Sequence, residues 1–379
     1  MASDALAANL APSMPAPATR SASRPERAIY RPFGAFRFVL SMMVVCQHAA
    51  YLLPMADRPF FWMMGFGIIA VMLFFIISGF VIAEANATFY VGRPVAFMVN
   101  RTLRLVPPYI AALALAAIVQ QWLYLHGRLH LWDGDLIGSP LQIKVLIAGL
   151  LDIVPFFHPG LIGAQDVHFI PFAWSLRLEF TFYLYVFLTF VVMAWLPRRP
   201  ARLVGYASTL LAYALFALYL ARGAKPPHQL DSIPFFLLGM AMFMLWRERT
   251  TLTVVHTLAS LACAPIAFAL WIQNDNPSVP LQLPIVAVLL AVLFALTFWG
   301  APGPRFKAID KRLGDLSYPL YINHFIVLLA MSDLTTDYGP GLYVAGLVAC
   351  IALSYVMLRA VDVPMKTLRD RVRGVKIVS

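Results

Sequence analysis

The chain has 379 residues, 61% of them hydrophobic and 12% charged, with a formal net charge of +11. Soluble domains carry about 45–50% apolar and about 25% charged residues, so a disordered chain, a coiled coil and an ordinary cytosolic enzyme are excluded. The apolar residues come in long runs rather than strict alternation, which argues against a membrane β-barrel. The class that remains is an all-α polytopic membrane protein.

Residues 1–32, rich in Ala, Pro, Ser and Arg, read as a disordered basic tail. The apolar run after them is too long for the core of a cleavable signal. A crossing helix needs about 20 mostly apolar residues. About ten stretches qualify: 36–55, 62–85, 107–126, 171–196, 203–221, 232–246, 252–272, 281–299, 314–332 and 341–360. A further stretch, 141–157, contains Lys144, Asp152 and Pro155. If it crossed, Arg198, Arg199, Arg202 and most later basic residues would lie outside, against the positive-inside rule. It is therefore expected to be interfacial or re-entrant, with both termini cytoplasmic. Residues 33–360 form the membrane domain, and 361–379 a second basic cytoplasmic tail.

The positive excess belongs to the cytoplasmic segments, and no nucleic-acid motif is present. Cys46, Cys263 and Cys350 are scattered through apolar runs. Their spacing makes neither a disulfide framework nor a metal site.

Ionisable residues inside crossing helices are costly and mark function by default. In the first stretch Arg37 and His48 are eleven residues apart, so they share one face about 16 Å apart along the axis. Snorkelling of Arg37 to lipid phosphate and a packed, hydrogen-bonded His48 would explain the same pattern. The second stretch ends near Ser78-Gly79-Phe80, where glycine permits close helix packing. The cytoplasmic loop that follows carries Arg93, Arg101 and Arg104, the last two one turn apart if helical. Paired guanidinium groups suit a phosphate or pyrophosphate, or simply set topology. Glu179 lies inside the stretch 171–196, with Tyr183 a turn away and Arg177 free to reach outward. Ser317, Tyr321 and His324 form one polar stripe in the stretch 314–332. By helix rise His48, Glu179 and His324 fall at similar depths.

These residues resemble the acyltransferase family 3 of polytopic membrane O-acyltransferases, over roughly 33–360. Arg37 and His48 match its Arg-x10-His element, Ser78-Gly79-Phe80 its SGF, and Arg101 with Arg104 its RxxR. Trp174-Ser175-Leu176, Glu179 and Phe182-Tyr183 match its WSLxxExxFY pattern. Leu313-Gly314, Ser317-Tyr318, Tyr321 and His324 match LGxxSYxxYxxH. Phe38 and Phe180 depart from residues the family often carries, Gly and an acid, without touching the chemistry-bearing positions.

The resemblance implies transfer of an acyl group, most commonly acetyl, from cytoplasmic acyl-CoA to a hydroxyl of an extracytoplasmic or lipid-linked polysaccharide. Acyl-CoA is then a co-substrate, with no permanently bound cofactor. The acceptor glycan, the bilayer and polysaccharide assembly machinery are the partners, and the bacterial inner membrane is the location. Arg37, Ser78, Arg101 and Arg104 would bind acyl-CoA. His48 would be a general base or a transient acyl carrier. Glu179 would orient its imidazole or bind acceptor hydroxyls. Trp174, Ser175, Tyr321 and His324 would shape the acceptor pocket. The alternative is a proton-coupled transporter or flippase of a glycan intermediate, for which buried His, Glu and Arg would serve as a relay.

Overall fold

A computed structural model describes residues 31–130, 139–157, 159–163, 169–222, 231–273, 279–299 and 303–374. The expected disordered tail, except for its last two residues, and the end of the second tail lie outside them. Among the described residues there is no strand. The helices are α1 Phe33–Ala49, α2 Arg58–Met64, α3 Phe66–Thr88, α4 Pro94–Leu125, α5 Ile143–Leu151, α6 Ala173–Ala194 and α7 Arg198–Ala221. There follow α8 Ile233–Glu248, α9 Thr251–Gln273, α10 Val279–Phe298, α11 Pro304–Leu334, α12 Pro340–Met357 and α13 Val363–Arg373.

Eight helical stretches are long and apolar enough to cross a membrane by length and composition. They are α1, α2 with α3, α4, α6, α7, α9, α10, and the stretch running from α12 into α13. All ten expected stretches fall on helices. The two beyond the eight are α8, with 16 residues, and α11, whose first three turns are charged. The nine residues of α5 rise about 14 Å, less than half of a hydrocarbon core of about 30 Å. The protein is an all-α polytopic membrane protein.

Two segments add helix beyond the crossing stretches. The basic loop before the third stretch is helical: α4 has 32 residues and carries Arg101 and Arg104 on consecutive positions of one face. Inside it, Pro107 and Pro108 supply no N–H, so the carbonyls of Leu103 and Arg104 lose their intrahelical partners. The second tail is also ordered in part. After a π-helical turn, Leu358–Asp362, the chain enters α13, which packs along α4.

The most buried crossing stretch is the one containing α3. It meets α8 through two reciprocal glycines. A methyl group at Gly79 would lie 2.0 Å from the Phe236 carbonyl oxygen, and one at Gly239 would lie 1.8 Å from that of Ile76. Each backbone fills the notch the other leaves, which is how small residues bring membrane helices together. Gly79 of the SGF element therefore serves packing.

The pair α1 and α11 is tied along its length. No side chain caps α1 locally. Instead the buried carboxylate of Asp310 accepts the backbone N–H of Gly34 at 3.1 Å and of Ala35 at 2.7 Å. An acidic group at a helix N-terminus satisfies orphan donors and complements the helix dipole. Further along, Ser41 Oγ donates to the Ser317 carbonyl at 2.8 Å, and Arg37 Nη2 to that of Gly314 at 3.2 Å.

Candidate functional site: a polar ladder between α1, α3, α4, α6 and α11

The ladder begins at the C-terminal end of α1. His324 Nε2 lies 3.1 Å from His48 Nδ1, and the two rings stack at 5.2 Å between centroids. His324 is fully buried and His48 9% exposed. Phe172, just before α6, stacks on both imidazoles at 4.7 and 4.3 Å. His324 Nδ1 is 2.7 Å from the carbonyl oxygen of Tyr321. A carbonyl only accepts, so that nitrogen carries the proton. In the neutral pair His324 Nε2 then accepts from His48 Nδ1–H. The His48 ring also bonds the Val44 carbonyl, and in the tautomer with Nδ1–H its lone pair sits on Nε2.

One turn along, Ser175 Oγ and the Tyr321 hydroxyl share a 2.7 Å hydrogen bond. Ser175 also donates to the Phe172 carbonyl at 2.9 Å. Beyond this pair opens a cavity of about 90 Å³. Its polar lining comprises Arg37, Ser78, Arg101, Arg104, Ser175, Glu179, Tyr183, Ser317, Tyr318 and Tyr321. Phe74, Phe75, Ile77 and Leu176 are among its apolar walls. The Glu179 carboxylate accepts hydrogen bonds from Ser78 Oγ at 2.7 Å and from the Tyr183 hydroxyl. Arg101 is buried, with its guanidinium 5.5 Å from the Phe97 ring and 5.7 Å from that of Tyr183. Tyr318 donates to the Leu105 carbonyl at 2.9 Å.

All but one of the residues proposed from sequence fall into two groups. Arg37, Ser78, Arg101, Arg104, Glu179, Ser175 and Tyr321 line one cavity. His48 and His324 form a pair behind Tyr321, and neither lines that cavity. Glu179 faces Ser78 and Tyr183, while the ring stacked against His48 belongs to His324. Trp174 is half-buried against the apolar core and does not line the cavity. Arg177 turns away, donating to the Phe157 carbonyl at 2.7 Å and pairing with Asp152 at 3.4 Å. Phe172 and Asp310 were not singled out from the sequence. The first is apolar and precedes the helix. The second lies in a basic segment outside any span, where one buried acid among cations is the available signal.

The helical membrane bundle thus holds a polar, cationic cavity beside a buried histidine pair. The acyltransferase domain family matches residues 33–359, and the chain belongs to that family. It is 26% identical over 307 residues to a Komagataeibacter xylinus protein named as a membrane-bound transacylase, BcsY, covering 78% of this chain and 76% of that one. No solved structure matches the chain. The activity is thus membrane acyl transfer, between an acyl donor and an acceptor.

Proposed function

We propose that the protein moves an acetyl group from cytoplasmic acyl-CoA to a hydroxyl of an extracytoplasmic or lipid-linked glycan, in the inner membrane of a bacterium. Both termini lie in the cytoplasm. One observation carries this reading: a single cavity with Arg37, Arg101 and Arg104 among its lining ends at Tyr321, the residue whose backbone carbonyl faces the His324–His48 pair. Coenzyme A has the same polarity, with phosphates at one end and a thioester at the other. The arginines bind the phosphates as charge-assisted forks. The apolar walls take the pantetheine arm.

His48 acts as general base through Nε2. It takes the proton of the acceptor hydroxyl as that oxygen attacks the thioester carbon. The C–S bond breaks, and the thiolate leaves with the proton from Nε2. Throughout, Nδ1–H of His48 stays donated to His324, which holds the ring in one tautomer, as a carboxylate does in a hydrolase triad. Such proton transfer is worth about 10²–10⁴-fold in rate. Glu179, held by Ser78 and Tyr183 in the cavity that the arginines line, sets how the donor enters. Ser175 and Tyr321 must part for the thioester to reach the histidines.

The test uses purified protein in liposomes loaded with radiolabelled acetyl-CoA and supplied with a membrane glycan fraction. Label should move to the glycan with matching release of CoA, and His48→Ala should stop both. Glycan labelling that persists in His48→Ala would remove the histidine mechanism. Absence of acetyl-CoA binding would remove the donor assignment.

A further inference from the structure

We infer that α13 supplies the second half of a phosphate-binding site: Lys366, Arg369 and Arg373 on its inner face act with Arg101 and Arg104 of α4 on the phosphates of the acyl donor. This rests on the donor being acyl-CoA.

The three residues are spaced i, i+3 and i+7, so they form one stripe. That stripe is turned inward. Lys366, Arg369 and Arg373 are half-buried, while Val363 is 45% and Leu368 41% exposed. A helix on a soluble protein does the reverse, burying its apolar side and exposing its charges. A helix at a bilayer surface turns its apolar side to the lipid, and here its cations consequently meet the protein.

The docking is specific. Asn100 Nδ2 donates to the Arg369 carbonyl at 2.8 Å, and Arg93 Nη2 to that of Val372 at 3.0 Å. The Arg373 guanidinium lies 5.0 Å from the Phe89 ring. This places Arg369 beside the arginine pair of α4. Its charged neighbours are Arg104, Arg373 and Arg101, opposed by the carboxylate of Asp362, and Arg373 in turn pairs with Asp370 at 3.7 Å. Lys366 similarly neighbours Lys311, with Asp315 and Asp370 opposing.

Like charges drawn together out of water repel unless an anion joins them. The Nε atoms of Arg101, Arg369 and Arg373 are buried without a hydrogen-bond partner. The group that would satisfy them carries several negative charges and many acceptor oxygens. A nucleotide bearing a diphosphate and a ribose phosphate, the end of coenzyme A remote from its thioester, has that chemistry. Arg101 and Arg104 line the cavity that takes the rest of the donor, and α13 packs along the helix that carries them.

The experiment measures binding of acetyl-CoA, and of adenosine 3′,5′-bisphosphate as a probe of the phosphate end alone. The protein is held in nanodiscs of zwitterionic lipid. Arg369→Gln should weaken both ligands about tenfold or more, the loss of one charge-assisted contact. Arg369→Lys, which keeps charge but loses the fork, should fall between. Arg371, exposed on the same helix, is the control: Arg371→Gln should bind like wild type. Equal losses in the two glutamine variants would mean bulk charge only and overturn the assignment. Unchanged binding in Arg369→Gln would overturn it while leaving the donor reading intact. Failure of the wild type to bind acetyl-CoA would instead end the donor reading. An Arg369→Gln defect that appears only with anionic lipid would make α13 a membrane contact and overturn the nucleotide site.

Discussion

Ser175 and Tyr321, from α6 and α11, close the cavity with one 2.7 Å hydrogen bond, and the histidine pair lies on its far side. The near side holds Arg37, Arg101 and Arg104, and the far side holds the two imidazoles with Phe172 against them. Removing either hydroxyl tests whether this contact acts as a barrier. Ser175→Ala and Tyr321→Phe should each cost about 1 kcal/mol of stability. The double variant should cost less than the sum of the two, because both delete the shared bond, Ser175→Ala losing its bond to the Phe172 carbonyl as well. Thermal unfolding of the four proteins in detergent gives the cycle, and additive losses would show that the bond contributes nothing.

Replacing His324 separates a partner of His48 from a simple wall residue. An amide oxygen at that position can still accept from His48 Nδ1–H, whereas a phenyl ring cannot. His324→Gln should therefore retain more turnover than His324→Phe, while His48→Ala should lose about 10²-fold or more. Initial rates of CoA release check this. Equal activity in the two His324 variants would assign that residue to packing.

Arg101 and Arg104 share a face of α4 and line the cavity. Arg101→Ala with Arg104→Ala should weaken acyl-CoA binding by about 10²-fold, at a tenfold change for each lost charged contact. Acceptor binding should change far less. Equilibrium binding of labelled acetyl-CoA settles it, and unchanged affinity would move the phosphate site elsewhere.

Glu179→Gln removes a negative charge from a cavity lined by three arginines. Donor affinity should rise a few-fold, since the arginines lose a competing anion, while turnover falls. Parallel measurement of dissociation constant and turnover number distinguishes this from simple misfolding, which would lower both.

Gly79→Ala and Gly239→Ala each place a methyl group about 2 Å from a facing carbonyl oxygen. The α3–α8 crossing must open to admit it, at a cost of about 1–3 kcal/mol or more. Yield of monodisperse protein after extraction should drop for both. Gly92→Ala, where a methyl group would meet no neighbour within 4 Å but the backbone has φ +66°, separates strain from crowding.

Helical periodicity made the Arg37–His48 face and the Ser317, Tyr321, His324 stripe readable before any coordinates, because both are local. It also made α4 conditionally readable, since Arg101 and Arg104 fall together only on a helix. What periodicity could not supply was pairing between helices. Depth alone put Glu179 level with two histidines, and nothing in the sequence says that Ser78 would be its partner. Phe172 escaped because an aromatic residue in an apolar run carries no polar signal. The α13 stripe escaped because a basic segment after the last crossing reads as a topological marker, although its i, i+3, i+7 spacing was present.

Asp310 holds α1 at one end, and the His48–His324 contact holds the same two helices at the other. Between them Ser41 is bonded to the Ser317 carbonyl and Arg37 to that of Gly314. Tied at both ends and twice in between, α1 and α11 behave as one unit: sliding one past the other would break all of these contacts at once.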